Sequence, residues 1–163
     1  MSLTAYSIRP VRPDDLPLLR VWLRTPEVAR WWGDPDEQAV MLEEDLTELG
    51  MVMRIVSLDA KPFAYAQDYA VHSWPQEHFA DLPPGSRAID SFIGEPEMIG
   101  RGHGSAYLRL LAARLRAEGA PVVAIDPAVD NMRARRAYEK AGFVRDRVVE
   151  TGEGLAVLMI FKP

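Results

Sequence analysis

A mixed α/β sheet within a single domain, residues 1–163, is the fold class the sequence predicts, and three observations carry it. The length of 163 residues suits one domain. Two pairs of β-type runs read as hairpins, one early and one at the C-terminal end. Between them strand and helix patterns alternate, which calls for parallel neighbours in the sheet. Apolar residues make up 48% and charged residues 26%, a balance that fits a packed core and not a disordered chain.

The elements follow in order. Ala5–Val11 alternates weakly and reads as an opening strand. Pro13-Asp14-Asp15 starts a helix whose apolar side is Leu16, Leu19, Val21, Trp22 and Leu23. Thr25-Pro26 restarts the chain into a short helix that stops at Trp31-Trp32-Gly33. Asp34–Leu49, with acids in its first turn and Gly50 after it, reads as a third helix. Met51–Leu58 and Phe63–His72 pair as a hairpin around Asp59-Ala60-Lys61-Pro62. Ser73–Ser86, rich in proline, is a long loop and a candidate binding element. Arg87–Ile93 is a strand, Gly102–Glu118 a long helix, and Val122–Ile125 a short apolar strand suited to a sheet centre. Asn131–Ala141 is a helix stopped by Gly142, and Val144–Glu150 with Leu155–Phe161 closes the chain as a hairpin around Thr151-Gly152-Glu153-Gly154.

Composition excludes several kinds of chemistry. Cysteine is absent, so disulfides, a thiolate nucleophile and a Cys-based zinc site are impossible. His72, His78 and His103 are too few and too scattered for a metal site, and none is expected. The N-terminus reaches charge too early for a signal peptide, and no apolar run approaches the ~20 residues of a membrane span; a cytoplasmic protein without membrane contact is expected. The net charge of −5 and a pI near 5.2 argue against nucleic acid as a partner. That charge is unevenly placed: residues 1–100 carry 17 acids and 8 bases, residues 101–163 carry 7 and 11. Such a division suits a cationic small molecule held beside an anionic one, although solvated surface charge would produce the same count.

The strongest local signal is Ile99-Gly100-Arg101-Gly102-His103-Gly104-Ser105, between a strand and a long helix. Alternating glycines let backbone N–H groups approach a ligand closely, and the helix start adds the positive end of its dipole, so a pyrophosphate is the natural guest of Gly100–Ser105. The glycine spacing is not that of a Rossmann turn, and no Gly-Lys-[Ser/Thr] of a P-loop is present. Asp130-Asn131-Met132-Arg133-Ala134-Arg135-Arg136-Ala137-Tyr138-Glu139-Lys140-Ala141-Gly142-Phe143 follows across one short strand.

Together the two segments resemble the GNAT family of N-acetyltransferases. The resemblance implies the GNAT fold, a mixed and mostly antiparallel central sheet flanked by helices, and acetyl-CoA as co-substrate. It implies that Gly100, Arg101, Gly102, His103, Gly104 and Ser105 bind the coenzyme's pyrophosphate, and that Asn131 lies beside the pantetheine. It also implies that backbone N–H groups near Phe92 and Ile93 hold the thioester oxygen. Ile99 stands where the family often has Arg or Gln, which turns the phosphate role toward Arg101. Tyr138 is either a general acid that protonates the departing thiolate or a core tyrosine on the apolar side of its helix.

Further segments narrow the resemblance: Trp31-Trp32-Gly33, Ala64-Tyr65-Ala66-Gln67-Asp68-Tyr69, Ala88-Ile89-Asp90, Ile125-Asp126-Pro127 and Thr151-Gly152-Glu153-Gly154-Leu155-Ala156-Val157. In this order they look like the aminoglycoside 6′-N-acetyltransferases, from about Ile8 to the C-terminus. That likeness implies Asp90 as the base, Asp126 and Glu153 as partners of the acceptor's amines, Trp32 and Trp74 as walls of the sugar site, and Gln67 and Tyr69 at its rim. Glu153 replaces an aspartate of the family, and Ser73–Ser86 matches only at Trp74. The residues themselves leave alternatives: Asp90 as base or as ammonium anchor, Asp126 as a turn-forming Asp-Pro, Glu153 as a solvated hairpin acid, and one of Trp31 and Trp32 as core. Three functions compete: acetylation of a polyamine sugar at a 6′-amine, acetylation of another small amine such as a siderophore hydroxylysine or of a peptide amine, and an acyl-CoA-binding module without turnover. A monomer or weak homodimer is expected.

Overall fold

The computed structural model describes residues 6–74 and 76–163. Its elements are β1 (Tyr6–Pro10), α1 (Leu16–Leu23), α2 (Pro26–Trp32), α3 (Pro35–Asp45), β2 (Met51–Leu58), β3 (Lys61–Ala70), β4 (Arg87–Ile93), α4 (His103–Ala117), β5 (Val123–Ile125), α5 (Met132–Ala141), β6 (Phe143–Thr151) and β7 (Gly154–Phe161). The strands form one sheet in the order β1-β2-β3-β4-β5-β7-β6. β1 pairs antiparallel with β2, as β7 does with β5 and β6, while β4 and β5 run parallel. Ala5, the first residue of the expected opening strand, lies outside the described residues. Among the described residues no helix is long and apolar enough to cross a membrane.

Two compact units divide the chain: Met1–Gln67 with Ser91–Arg101, and Asp68–Asp90 with Gly102–Pro163. In the first, Leu19, Trp22, Leu23, Val28, Leu42, Ile55, Tyr65 and Phe92 form the core. Val21, expected on the apolar side of α1, is 63% exposed, because it sits two positions from both Leu19 and Leu23 and so faces away from them. Trp22 Nε1 donates to Glu95 Oε1 at 2.9 Å, and a Cβ on Gly94 would fall 2.1 Å from the Trp22 ring. α3 is capped by Asp34, whose Oδ1 accepts from the amides of Asp36 and Glu37, both at 3.0 Å. The helix ends at Asp45, not at Leu49, which is 97% exposed. Its last turn carries Glu43, Glu44 and Asp45 with no basic residue, which opposes the helix dipole and favours an early stop.

Both hairpins turn more tightly than expected. Asp59 and Ala60 alone make the first turn, with φ of 49° and 68°, so β3 already begins at Lys61. Gly152 and Glu153 alone make the second.

In the second unit, Arg87 at the start of β4 donates through Nε to the fully buried carboxylate of Asp68 on β3, and through Nη2 to the Asp68 carbonyl at 3.1 Å. Asn131 Oδ1 caps α5 by accepting from Ala134 N at 3.2 Å, and Ser105 on α4 donates its hydroxyl to Ala137 O of α5 at 2.9 Å. The long loop is packed, not loose: it carries a 3-10 turn at Glu77–Phe79 with the Phe79 ring buried, and Arg147 of β6 holds its Asp81 at 2.6 Å. β6 breaks register between Arg145 and Arg147.

Arg87→Met would leave the Asp68 carboxylate buried without its guanidinium, and should cost about 3–5 kcal/mol in urea denaturation. Arg20→Met removes an exposed pair with Glu43 at 3.1 Å and should cost under about 1 kcal/mol in the same measurement.

Candidate active site

β5 is three residues long, and its pairing with β4 joins Arg87 to Val123 and Ala88 to Ala124. Continued two residues, that register puts Asp90 across from Asp126, where the short strand has ended. Glu153 lies exposed in the tight turn between β6 and β7, its amide donating to Thr151 Oγ1 at 3.2 Å. All three carboxylates act on one phenol. Tyr69 is buried, takes a hydrogen bond with the Gln76 side chain, and holds its proton far above the ordinary range, first through burial and then through the charges of Asp90, Asp126 and Glu153. The Trp74 ring meets Tyr69 edge-on at 5.8 Å, and that of Phe79 lies 6.4 Å away. Asp126 has a partner that the sequence does not announce: His78 Nε2 stands 2.9 Å from its Oδ2.

The start of α4 is the second component. Gly102 caps it in the left-handed region at φ 83°, and the first helical bond runs from Ala106 N to Gly102 O, so the amides that precede it emerge at the helix N-terminus. Lys140 of α5 stands beside this turn, its Nζ 3.5 Å from where a Gly102 Cβ would be. His103 and Gly104 are half-buried in the first turn, and Ser105 is buried with its hydroxyl committed to Ala137 O, which leaves its amide for a ligand. Asn131 likewise spends its side-chain oxygen on the α5 cap. Tyr138, one residue beyond Ala137, is half-buried with its ring 6.3 Å from that of Phe143. Burial first, then Tyr107, Asp90 and Asp126, push its phenol above the ordinary range.

The first unit holds the remaining expected residues. Trp32 meets Phe92 edge-on at 5.0 Å and Tyr65 at 6.0 Å, and Tyr65 stacks on Phe92 at 5.2 Å. Of the adjacent pair, Trp32 packs against the core beside Trp22, while Trp31, also half-buried, lies under the Arg30 guanidinium at 4.7 Å. Gln67 accepts from the Tyr65 hydroxyl at 2.6 Å. Gln67 and Tyr69 do not form an open rim, being only 8% and 5% exposed, with the Tyr65 hydroxyl on Gln67 and the Trp74 and Phe79 rings against Tyr69. Ile93 ends β4 half-buried, and Gly100, with φ 77°, and Arg101 are exposed.

Sequence reasoning missed His78, Gln76 and Lys140. Neither His78 nor Gln76 has a spacing signal, since a 3-10 turn in an irregular loop places them. Lys140 lies within a motif segment, but only the packing of α5 against α4 shows that it reaches the glycine turn. Among the described residues no cluster of three His, Asp or Glu side chains could hold a metal ion.

Residues 12–151 match the model of the acetyltransferase (GNAT) domain family. The chain belongs to the GNAT family. An aminoglycoside N(6′)-acetyltransferase type 1 of Klebsiella pneumoniae is 31% identical over 168 residues, covering 96% of this GNAT chain and 82% of the relative. The solved structure of AAC(6′)-Ib with paromomycin and acetyl-CoA superposes with a TM-score of 0.86 at 30% identity, covering 96% and 92% of the two chains. AAC(6′)-Ib with coenzyme A and kanamycin superposes at 0.84 with 32% identity, covering 96% and 94%.

The tyrosines of this GNAT chain provide a direct check on the site's electrostatics. In a spectrophotometric titration Tyr69 and Tyr138 should stay protonated where an ordinary tyrosine, near pKa ~10, is half ionised. Tyr69→Phe and Tyr138→Phe should each delete one late step. Because the unfolded chain releases these protons first, folding stability should fall as pH rises above about 10.

Proposed function

We propose that this chain transfers the acetyl group of acetyl-CoA to the 6′-amine of an aminoglycoside. The observation that carries the reading is the β4–β5 register, which sets Asp90 across from Asp126 just past the end of β5, in a chain of the GNAT family. Relatives about 30% identical over nearly the whole chain are named for this activity or were solved with both ligand types.

The amides of Gly100–Ser105, His103 among them, receive the pyrophosphate. Arg101 and Lys140 add positive charge, and Asn131 stands beside the pantetheine at the start of α5. The Phe92 and Ile93 amides stabilise the thioester oxygen as it gains negative charge. Asp90 accepts the proton of the acceptor's ammonium, directly or through water, so that nitrogen can attack the carbonyl carbon. When the carbon–sulfur bond breaks, Tyr138 gives its proton to the sulfur. Asp126 and Glu153 hold the acceptor's other ammonium groups, with Trp74 beside them as a wall of the sugar site. Tyr69, buried and bonded to Gln76, stays neutral and adds no charge to the site.

Thiol release from acetyl-CoA, measured with kanamycin, other aminoglycosides, a simple monoamine and a peptide amine, tests the reading. Aminoglycosides should be turned over; acetylation of the monoamine or peptide alone would overturn it. Tyr138→Phe should lower kcat by roughly 10²–10⁴-fold with acetyl-CoA binding retained. Asp126→Asn should raise the acceptor KM about tenfold to a hundredfold, the loss of one charge-assisted contact, with kcat less affected. Gly102→Val, which forces a side chain into φ 83° beside Lys140, should abolish coenzyme A binding in calorimetry while the protein stays folded.

A further inference from the structure

A carboxylate that meets a cation binds best when its own rotamer is already fixed, because the acceptor then spends none of its binding energy on ordering it. Asp126 meets that condition through His78. A carboxylate can only accept, so His78 Nε2 is the donor, 2.9 Å from Oδ2, and the other oxygen keeps its full accepting capacity. Both side chains are largely withdrawn from water, 8% and 16% exposed, where a hydrogen bond to a charge is stronger than at an open surface.

His78 is itself held from two further directions. Its ring lies 4.0 Å from that of Phe79, and its carbonyl accepts from Arg147 Nη2 at 3.3 Å, the same nitrogen that holds Asp81 at 2.6 Å. The tie therefore runs from β6 through the loop to the acid cluster. The same loop touches a second member of the cluster, since Gln76 bonds Tyr69. Two side chains two positions apart thus engage Asp126, a proposed ammonium partner, and the buried Tyr69 beside it.

We infer that His78 is a positioning residue for the acceptor: it orients Asp126, and through it the Gln76–Asp81 loop sets affinity for a cationic amine. The inference rests on the reading of Asp126 as an ammonium partner. It assigns His78 no proton transfer in the reaction.

The test compares His78→Ala, His78→Gln, Asp126→Asn and the double variant His78→Ala/Asp126→Asn in steady-state kinetics, using the best amine acceptor of the panel above. Tm is measured alongside. His78→Ala should raise the acceptor KM about five- to tenfold, leaving kcat and the acetyl-CoA KM within about twofold. His78→Gln, which retains a donor of similar reach, should recover most of the loss. In the Asp126→Asn background His78→Ala should add nothing, because its only route to the acceptor is already gone. If Asp126→Asn raises KM but His78→Ala does not, or if the two losses add, the role of His78 is overturned and the Asp126 reading survives. An Asp126→Asn variant with unchanged KM overturns the Asp126 reading, and the His78 inference with it. A His78→Ala loss shared equally by kcat and both KM values, and not restored by Gln, assigns His78 to the fold alone.

Discussion

The parallel pairing of β4 with β5 is short, and the chemistry of the chain depends on where it stops. A strand of three residues cannot follow a strand of seven to its end, so β4 continues past the last paired rung. Parallel strands carry the same side-chain alternation, and residues that leave such a pair in register leave it facing the same way. Asp90 and Asp126 are those residues. Two acids at one rung repel each other unless something cationic or hydrogen-bonding lies near, and here a histidine takes one oxygen of the pair. The short strand thus creates an anionic position that the rest of the second unit is arranged to keep filled and oriented.

The anchor at the other end of β4 makes this tolerable. Arg87 is bonded to buried Asp68 at the first paired rung, so the alignment of β4 against β3 is held by a charge pair that a shifted register would break. A one-residue slip would separate that pair and would also turn Asp90 to the opposite face. One buried ion pair thus ties β4 to its neighbour three residues before Asp90, a case in which a structural charge confers specificity of arrangement more than net stability.

Much of this was legible in the amino-acid sequence, and the limits have physical causes. Helix starts at Thr25-Pro26, Asp34-Pro35 and Asn131 are chemically marked, as are stops at Gly33 and Gly142, and the order of all twelve elements follows from such marks. The end of α3 was not marked, because an acidic last turn weakens a helix without any breaking residue. Both hairpins looked longer-looped than they are; Asp59 and Ala60 adopt positive φ without the glycine that ordinarily signals a two-residue turn. Asp90, Asp126 and Glu153 could be named from local motifs, yet the placing of Asp90 across from Asp126 is a matter of register and topology. His78 was invisible: one histidine in an irregular, proline-rich segment carries no periodicity, and its bond to Asp126 spans 48 positions of chain.

β6 stands last in the sheet order, so one side of its backbone has no strand to pair with. Exposed Val144 and Val148 would make such an edge a template for another chain's strand. The register break between Arg145 and Arg147 interrupts it, and the run Arg145-Asp146-Arg147 sets charge at that interruption. A second molecule laid along β6 would find neither a continuous ladder nor a neutral surface. Arg147, which ties the loop and its histidine in place, is therefore also part of the charge set at this edge.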